Sequence, residues 1–245
     1  MKCMVKSTAQ ILLQQYQIQL EQYFLIHNDA TETLSQLLEQ QFSKGQLLTL
    51  LTAILQDEQS LAEISSRSYQ HGNGFLKVVL LDRGYKLRLH IWFAGQSCEE
   101  NIHDHRWSFS SLIITGALTS EIWKDVDAGQ DFQEYEYHAA TQSRAPFKTE
   151  IGVNALKLGH VQVKQAGESY VMPKGKLHRI INPGHQLVST MMCSAPTEQG
   201  TTRLIPIHNG IDPNIQPPKT TVQQLTASLN LFIQYLQQES NDHAA

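Results

Sequence analysis

Two short stretches constrain this chain more than anything else in it. The first reads Asn101-Ile102-His103-Asp104-His105-Arg106-Trp107 and continues to Gly116; the second, about seventy residues on, runs from Gly167 through Pro173-Lys174-Gly175 and His178 to Asn182. Side chains alternate between the two faces of a strand, so His103 and His105 point one way and Asp104 the other. A Pro-x-Gly turn ends one strand and starts the next in a set direction, which aims His178. If the two strands pair or face each other, three imidazoles converge. Left unpaired inside a barrel, each would forgo on the order of 1–3 kcal/mol of hydrogen bonding, whereas one cation satisfies all three. His103, His105 and His178 are therefore the candidate metal ligands.

The rest of the chain sets the limits. At 245 residues it can bury one good-sized core, and a single main domain is expected. The net charge of -4 and the scatter of 19 Lys and Arg leave no basic field for phosphate backbones, so nucleic acid is excluded as a partner. Three widely spaced cysteines, Cys3, Cys98 and Cys193, make no disulfide framework and suit a reducing compartment. The first ten residues lack a signal-peptide apolar segment, and no apolar run approaches the ~18 residues of a membrane span, so a soluble, cytoplasmic protein is expected with no membrane partner.

The first 65 or so residues read as helical. Ser7 or Thr8 caps a helix through Ile26; Asp29 or Thr31 starts a second carrying Leu34, Leu37, Leu38 and Phe42; Leu47 to Leu55 forms a third. Their apolar stripes bury against the chain's own domain, with a homodimer interface as the alternative. From about Arg67 the pattern turns to β. Phe75 to Leu81 and Tyr85 to Phe93 flank Asp82-Arg83-Gly84, a hairpin with Gly at positive φ. In the second strand Leu87, Leu89, Ile91 and Phe93 share one face; Lys86, Arg88, His90 and Trp92 share the other, which lines a polar cavity or meets water. Further strands are expected at Trp107 to Thr115, Leu118 to Lys124, Phe132 to His138, Ala155 to Lys164, Ser169 to Met172, His178 to Ile181, Leu187 to Cys193 and Arg203 to Ile207. So many short strands predict a sandwich or barrel. Asp212 to Pro218 reads as a stiff linker, Thr220 or Thr221 as the cap of a last helix carrying Val222, Leu225, Leu229, Phe232 and Leu236, and Glu239 to Ala245 as frayed. The expected division is 1–66 as a helical segment packed on the barrel, 67–211 as the barrel, and 212–245 as linker and C-terminal helix.

The two stretches resemble the paired motifs of the cupin superfamily. The first family motif is His-x-His, a Glu three or four residues on, then Gly; His103, His105 and Gly116 fit it, and Phe109 stands where the Glu belongs. The second is matched at every fixed position by Gly167, Pro173, Gly175, His178 and Asn182. At average usage Gly-x5-Pro-x-Gly alone arises at roughly 2 × 10⁻⁴ per starting position. The resemblance covers about Phe75 to Asn182 and implies a mainly β fold: a double-stranded β-helix, or jelly-roll barrel, with a metal in its mouth, here flanked by N-terminal helices and a C-terminal helix.

Without the Glu, a three-His set adds no negative charge to a divalent cation and leaves positions open for exogenous ligands. That pattern resembles the thiol dioxygenases of the cysteine dioxygenase type, which hold Fe(II) with three histidines and grip the substrate carboxylate with a basic residue on an earlier strand. Lys77 falls at about that position, with Arg88 as a rival. The Ser-x-His-x-Tyr set of those enzymes would fall near Met191, Cys193 and Ala195 and is missing, so the metal site is carried over and the thiol substrate is not. The expected function is a non-haem oxygenase acting on a small molecule and dioxygen. His90 is expected to do acid-base work or support a ligand, and Trp92, Trp107 and Phe109 to wall the pocket or fill the barrel. Arg106 and Arg179 are expected to pair with Asp104; His27, His71, His138, His160, His185 and His208 are read as surface or core residues. Zinc, nickel and copper suit imidazole as well as iron does. The alternatives are a metal-bearing isomerase, in which the ion polarises a carbonyl, and a binding barrel without catalysis.

Overall fold

The computed structural model describes residues 5–141, 143–207 and 217–242, with the side chains of 240–242 left aside. Cys3, His208 and the linker positions 212–216 lie outside the described residues.

Four helices come first: α1 (Thr8–Ile26), α2 (Glu32–Gln41), α3 (Lys44–Leu55) and α4 (Glu58–Arg67). Ser7 caps α1 in a capping box with Gln10, and Ser43 does the same for α3 with Gln46, so α3 begins three residues before the expected Leu47. The fourth helix was not separately expected; Asp57 caps it by accepting from the Ser60 N–H. Helix α5 (Val222–Asp242) closes the described chain and starts at a Thr221–Gln224 capping box. It continues past Glu239, where fraying was expected.

Twelve strands follow α4. They are β1 (Tyr69–His71), β2 (Phe75–Arg83), β3 (Tyr85–Trp92), β4 (Cys98–Glu99), β5 (Ile102–His103), β6 (Phe109–Thr115), β7 (Ala117–His138), β8 (Phe147–Gln165), β9 (Ser169–Met172), β10 (His178–Asn182), β11 (Val188–Ser194) and β12 (Thr202–Ile205). They form two six-stranded sheets, in the orders β1-β2-β3-β11-β6-β9 and β4-β10-β5-β12-β7-β8, every pairing antiparallel. From β3 onward the chain passes back and forth between the sheets. The β7–β8 hairpin doubles back so that β6 pairs with β9 and β7 with β10. That winding of a paired ribbon is a double-stranded β-helix.

The first sheet separates two environments. Leu87, Leu89 and Ile91 on its outer face join one apolar cluster with Leu34, Leu50, Ile54, Leu229 and Phe232 of the helices. Each such fully buried side chain contributes about 1.5–3 kcal/mol relative to exposure, which fastens the helices to the sheet. Arg88, His90 and Trp92 alternate with them and point into the barrel, so of the two fates expected for that face it is the cavity that holds. The Asp82-Arg83-Gly84 hairpin is present, with Gly84 at φ +84°.

Several strand limits differ from expectation. The segments expected separately at Leu118 to Lys124 and Phe132 to His138 are one 22-residue strand, paired along β8 with a bulge between Asp125 and Gln130. The Val126-Asp127-Ala128-Gly129 run looks like a turn in sequence. In the fold it is extra chain accommodated within a continuing ladder, where a Cβ on Gly129 would lie 2.5 Å from the Leu156 carbonyl oxygen. β6 begins at Phe109 rather than Trp107, and β5 ends at His103.

Candidate metal centre and cavity

His103 closes β5 and His178 opens β10, and the two are direct register partners. His105 lies beyond the end of β5, so the alternation argument that placed it beside His103 does not apply. What places it is the second motif: Gly175, at φ +72° in the Pro173-Lys174-Gly175 turn, donates its N–H to the His105 carbonyl at 3.1 Å. Lys174 donates its N–H to the Ser108 hydroxyl at 2.9 Å. The Pro-x-Gly turn thus aims His178 and also holds the chain around His105.

The three rings converge. Their centroids are 4.9 Å apart for His103–His105, 4.7 Å for His103–His178 and 5.1 Å for His105–His178. One ligand nitrogen from each lies within 4.8 Å of the others. His103 Nδ1 meets the Asn101 carbonyl at 2.9 Å and His178 Nδ1 meets the Lys176 carbonyl at 2.8 Å. A carbonyl only accepts, so both Nδ1 atoms carry a proton, and in the neutral ring that leaves the Nε2 lone pair for the centre. Burial, with His103 next, pushes the His178 imidazole down to about 3, and burial with the neighbouring histidines and basic residues holds His105 well below its ordinary value. Neutral rings with free lone pairs are what a divalent metal requires. The set fits a metal that accepts imidazole alone.

These histidines stand on the wall of a cavity of about 740 Å³, and all nine residues singled out in the sequence line it: His103, His105 and His178; Lys77, Arg88 and His90; Trp92, Trp107 and Phe109. Cross-strand register explains the grouping. Tyr69, Lys77, His90 and Thr190 form one row across the first sheet, and Val79, Arg88, Met192, Ser111 and Tyr170 a second. Burial lowers the Lys77 ammonium from its usual value, with Tyr69 opposing, and likewise lowers Arg88. Among the described residues Arg88 reaches the Met192 sulfur at 3.9 Å and the Trp107 ring at 5.6 Å. His90 is not a partner of the ligand histidines. It packs on Phe75, 4.9 Å away, and its buried Nε2 has no hydrogen-bond partner.

Two expected pairings are corrected. Arg179 bonds Glu121 at 2.6 Å and Arg106 donates to the Gly200 carbonyl at 3.2 Å, so neither meets Asp104. Asp104 accepts instead from the Arg203 N–H at 2.7 Å, because β12 runs beside β5. His71, read as an ordinary core or surface residue, lines the cavity. Its Nδ1 accepts the Asn73 N–H at 3.2 Å and its ring stacks on Phe75 at 4.6 Å, leaving Nε2–H as its free donor. Tyr69, Glu100, Tyr137 and Tyr170 on the same wall were also missed. The Tyr69-Gln70-His71 alternation was the available signal, in a strand too short to stand out. A second depression, about 550 Å³ between α1, α2 and α3, is lined by Leu12, Gln15, Gln19 and Thr49 among others and contains no histidine or charged side chain.

No family model and no curated protein matches the chain. Among solved structures it is similar to an RmlC-like cupin from Shewanella frigidimarina, 15% identical over 55% of this chain and 86% of that one, with a TM-score of 0.34. An uncharacterized conserved protein with a double-stranded β-helix domain from Klebsiella pneumoniae is 17% identical over 60% of this chain and 93% of that one, TM-score 0.32. A recombinant oxalate oxidase in complex with glycolate is 15% identical over 54% of this chain, TM-score 0.32, and the match spans only 55% of the oxidase. Likenesses this distant carry no argument about activity; strand order and pairing establish the architecture. The fold is a double-stranded β-helix. Among the described residues no helix is long and apolar enough to cross a membrane, and Cys98 and Cys193 are free and buried.

Proposed function

We propose that the protein is a metal-dependent oxygenase of the three-His cupin type, with Fe(II) as its metal and a small carboxylate-bearing molecule as its substrate. One observation carries the reading: three imidazoles whose ring nitrogens converge, with no carboxylate in the group, open onto a cavity that also holds the basic side chains of Lys77 and Arg88. His103, His105 and His178 would hold the ion. When bound, it supplies redox chemistry toward dioxygen and coordination positions left free by the missing carboxylate.

The chain's own residues do the rest. Arg88, buried beside the Met192 sulfur and the Trp107 ring, and Lys77, beside Tyr69, bind the substrate carboxylate, since an entering anion offsets the cost of enclosing positive charge. Trp92, Trp107 and Phe109 exclude water, which strengthens every charge interaction within the cavity. His90, kept neutral by burial, is the candidate for acid-base work in this reading, with His71 donating from its Nε2–H. Purification under anaerobic conditions, an iron assay, and oxygen uptake over a panel of thiols, amino acids and diketones test the proposal. Stoichiometric iron with substrate-dependent uptake is expected. Tight zinc or nickel binding with indifference to oxygen would transfer the site to carbonyl polarisation, and no metal under any loading condition would leave a binding barrel.

A further inference from the structure

The cavity wall specifies more than a negative charge. Among the described residues neither Lys77 nor Arg88 forms a salt bridge. Glu100, the carboxylate on the described lining, is occupied by the Asn73 amide at 3.0 Å and the Ile180 N–H at 3.1 Å. Lys77 leans on Tyr69, its ammonium 5.2 Å from that ring, and Arg88 on the Trp107 indole, so neither is paired with a carboxylate among the described residues and both can take an incoming anion.

Between them and the histidine triad the surface is aromatic. Trp107 lies nearly parallel to His105, 5.3 Å between centroids at 12°, with the Arg88 guanidinium 5.6 Å from the same indole. Phe109 stands edge-on to His105 at 5.4 Å, and Phe75 packs 4.6 Å from Trp92. Trp107 thus lies against both Arg88 and His105 and links the two along one stretch of the wall. Three buried polar atoms of lining residues, Trp92 Nε1, Trp107 Nε1 and His90 Nε2, have no hydrogen-bond partner among the described residues. The volume of about 740 Å³ falls in the range of about 300–1,000 Å³ that encloses drug-sized ligands, well beyond a three-carbon amino acid.

We infer that the cavity takes an aromatic carboxylic acid, its carboxylate on Arg88 and Lys77 and its ring against Trp107 on the way to the three histidines. This rests on the reading of the cavity as the substrate site. A flat ring makes edge and face contacts with the surrounding rings that an alkyl chain cannot, and it loses less rotamer freedom on binding.

Calorimetric titration of the full chain, metal-free and anaerobically iron-loaded, tests this with benzoate, benzamide, heptanoate and cysteine. Heptanoate is the open-chain acid of equal carbon count. Benzoate is expected to bind at least about tenfold more tightly than each of the other three. Arg88→Met and Lys77→Met should each weaken benzoate by about 10- to 100-fold while leaving benzamide unchanged; thermal melts confirm that each variant is folded, and either one suffices. Equal binding of heptanoate, cysteine or benzamide, or no binding of any probe, overturns the inference. Oxygen uptake and iron content are read separately. Uptake with a non-aromatic substrate would leave the oxygenase reading standing and remove this inference, whereas tight benzoate binding without oxygen chemistry under any condition would do the reverse.

Discussion

Asp104 and Arg203 exchange two hydrogen bonds across β5 and β12: the Arg203 N–H donates to Asp104 Oδ1 at 2.7 Å, and the Asp104 N–H donates to the Arg203 carbonyl at 3.3 Å. Asp104 sits between two of the three histidines, so this clamp fixes the short irregular segment that carries His105. The Arg203 side chain is held in turn by Glu134 and Asp125 on β7, at 2.5 and 2.7 Å. Asp104→Ala should leave the fold intact at a cost of about 1–3 kcal/mol and weaken metal binding by about 10- to 100-fold, as loss of groups supporting ligands does elsewhere. Chelator competition against the unaltered chain measures it. Unchanged affinity would mean that the segment holds its shape without the clamp.

Metal binding should register as stability. A ligand that binds only the folded chain adds about 2.7 kcal/mol at a hundredfold excess over its Kd. Loading with Fe(II), or with Zn(II) as a redox-silent substitute, should raise the melting temperature, and a chelator should reverse the rise. His178→Ala and His103→Ala should each abolish the shift. A shift retained in both variants would place the ion elsewhere.

The sequence brings these three histidines together for a reason only partly correct. Gly175 and His178 were legible because a Pro-x-Gly turn has few conformations, and the inward face of β3 was legible because Arg88, His90 and Trp92 alternate strictly with Leu87, Leu89 and Ile91. His105 was reached by assuming that the strand continues past His103, whereas its position depends on a hydrogen bond from a residue 70 positions later. His71 was passed over because its setting depends on β1 pairing with β2 and on the Asn73 turn, neither of which leaves a periodic mark in a three-residue strand. Asp125 and Glu134 share β7, whereas Arg203 comes from a distant stretch of the chain, and it is the pairing of β12 with β7 that brings them together.

Acid should destabilise the chain through histidines outside the metal set. Burial holds His71 and His90 well below the ordinary imidazole value of 6.5, with Lys77 and Arg88 adding to the depression. Unfolded, both would titrate near that value. Below it the unfolded chain takes up protons that the folded chain refuses, so stability falls as pH drops, by up to about 1.4 kcal/mol per pH unit for each ring. Above it neither ring adds a slope. Urea midpoints between pH 7.5 and 5 on the metal-free chain, as a chosen range of about 2.5 units, measure the effect. His90→Leu should reduce the acid-side slope by about one proton; an identical slope would show that His90 protonates as readily folded as unfolded.

Two motif glycines should respond differently to the same substitution. Gly116 and Gly175 have nearly the same backbone, φ +69° and +72°, so an alanine at either pays a left-handed strain of about 1–2 kcal/mol. Their surroundings differ. A Cβ at Gly116 would lie 2.6 Å from the Leu187 carbonyl oxygen and 3.1 Å from Val188 Cγ2, whereas one at Gly175 meets nothing within 4 Å. Backbone cannot swing aside as a side chain can, so Gly116→Ala should cost a further ~1–3 kcal/mol from overpacking. Gly175→Asn should cost less than Gly175→Ala, because Asn tolerates the left-handed region better. Urea unfolding of the three variants orders them. Equal losses for the two alanine variants would show that β6 and β11 separate at Gly116 more easily than their packing implies.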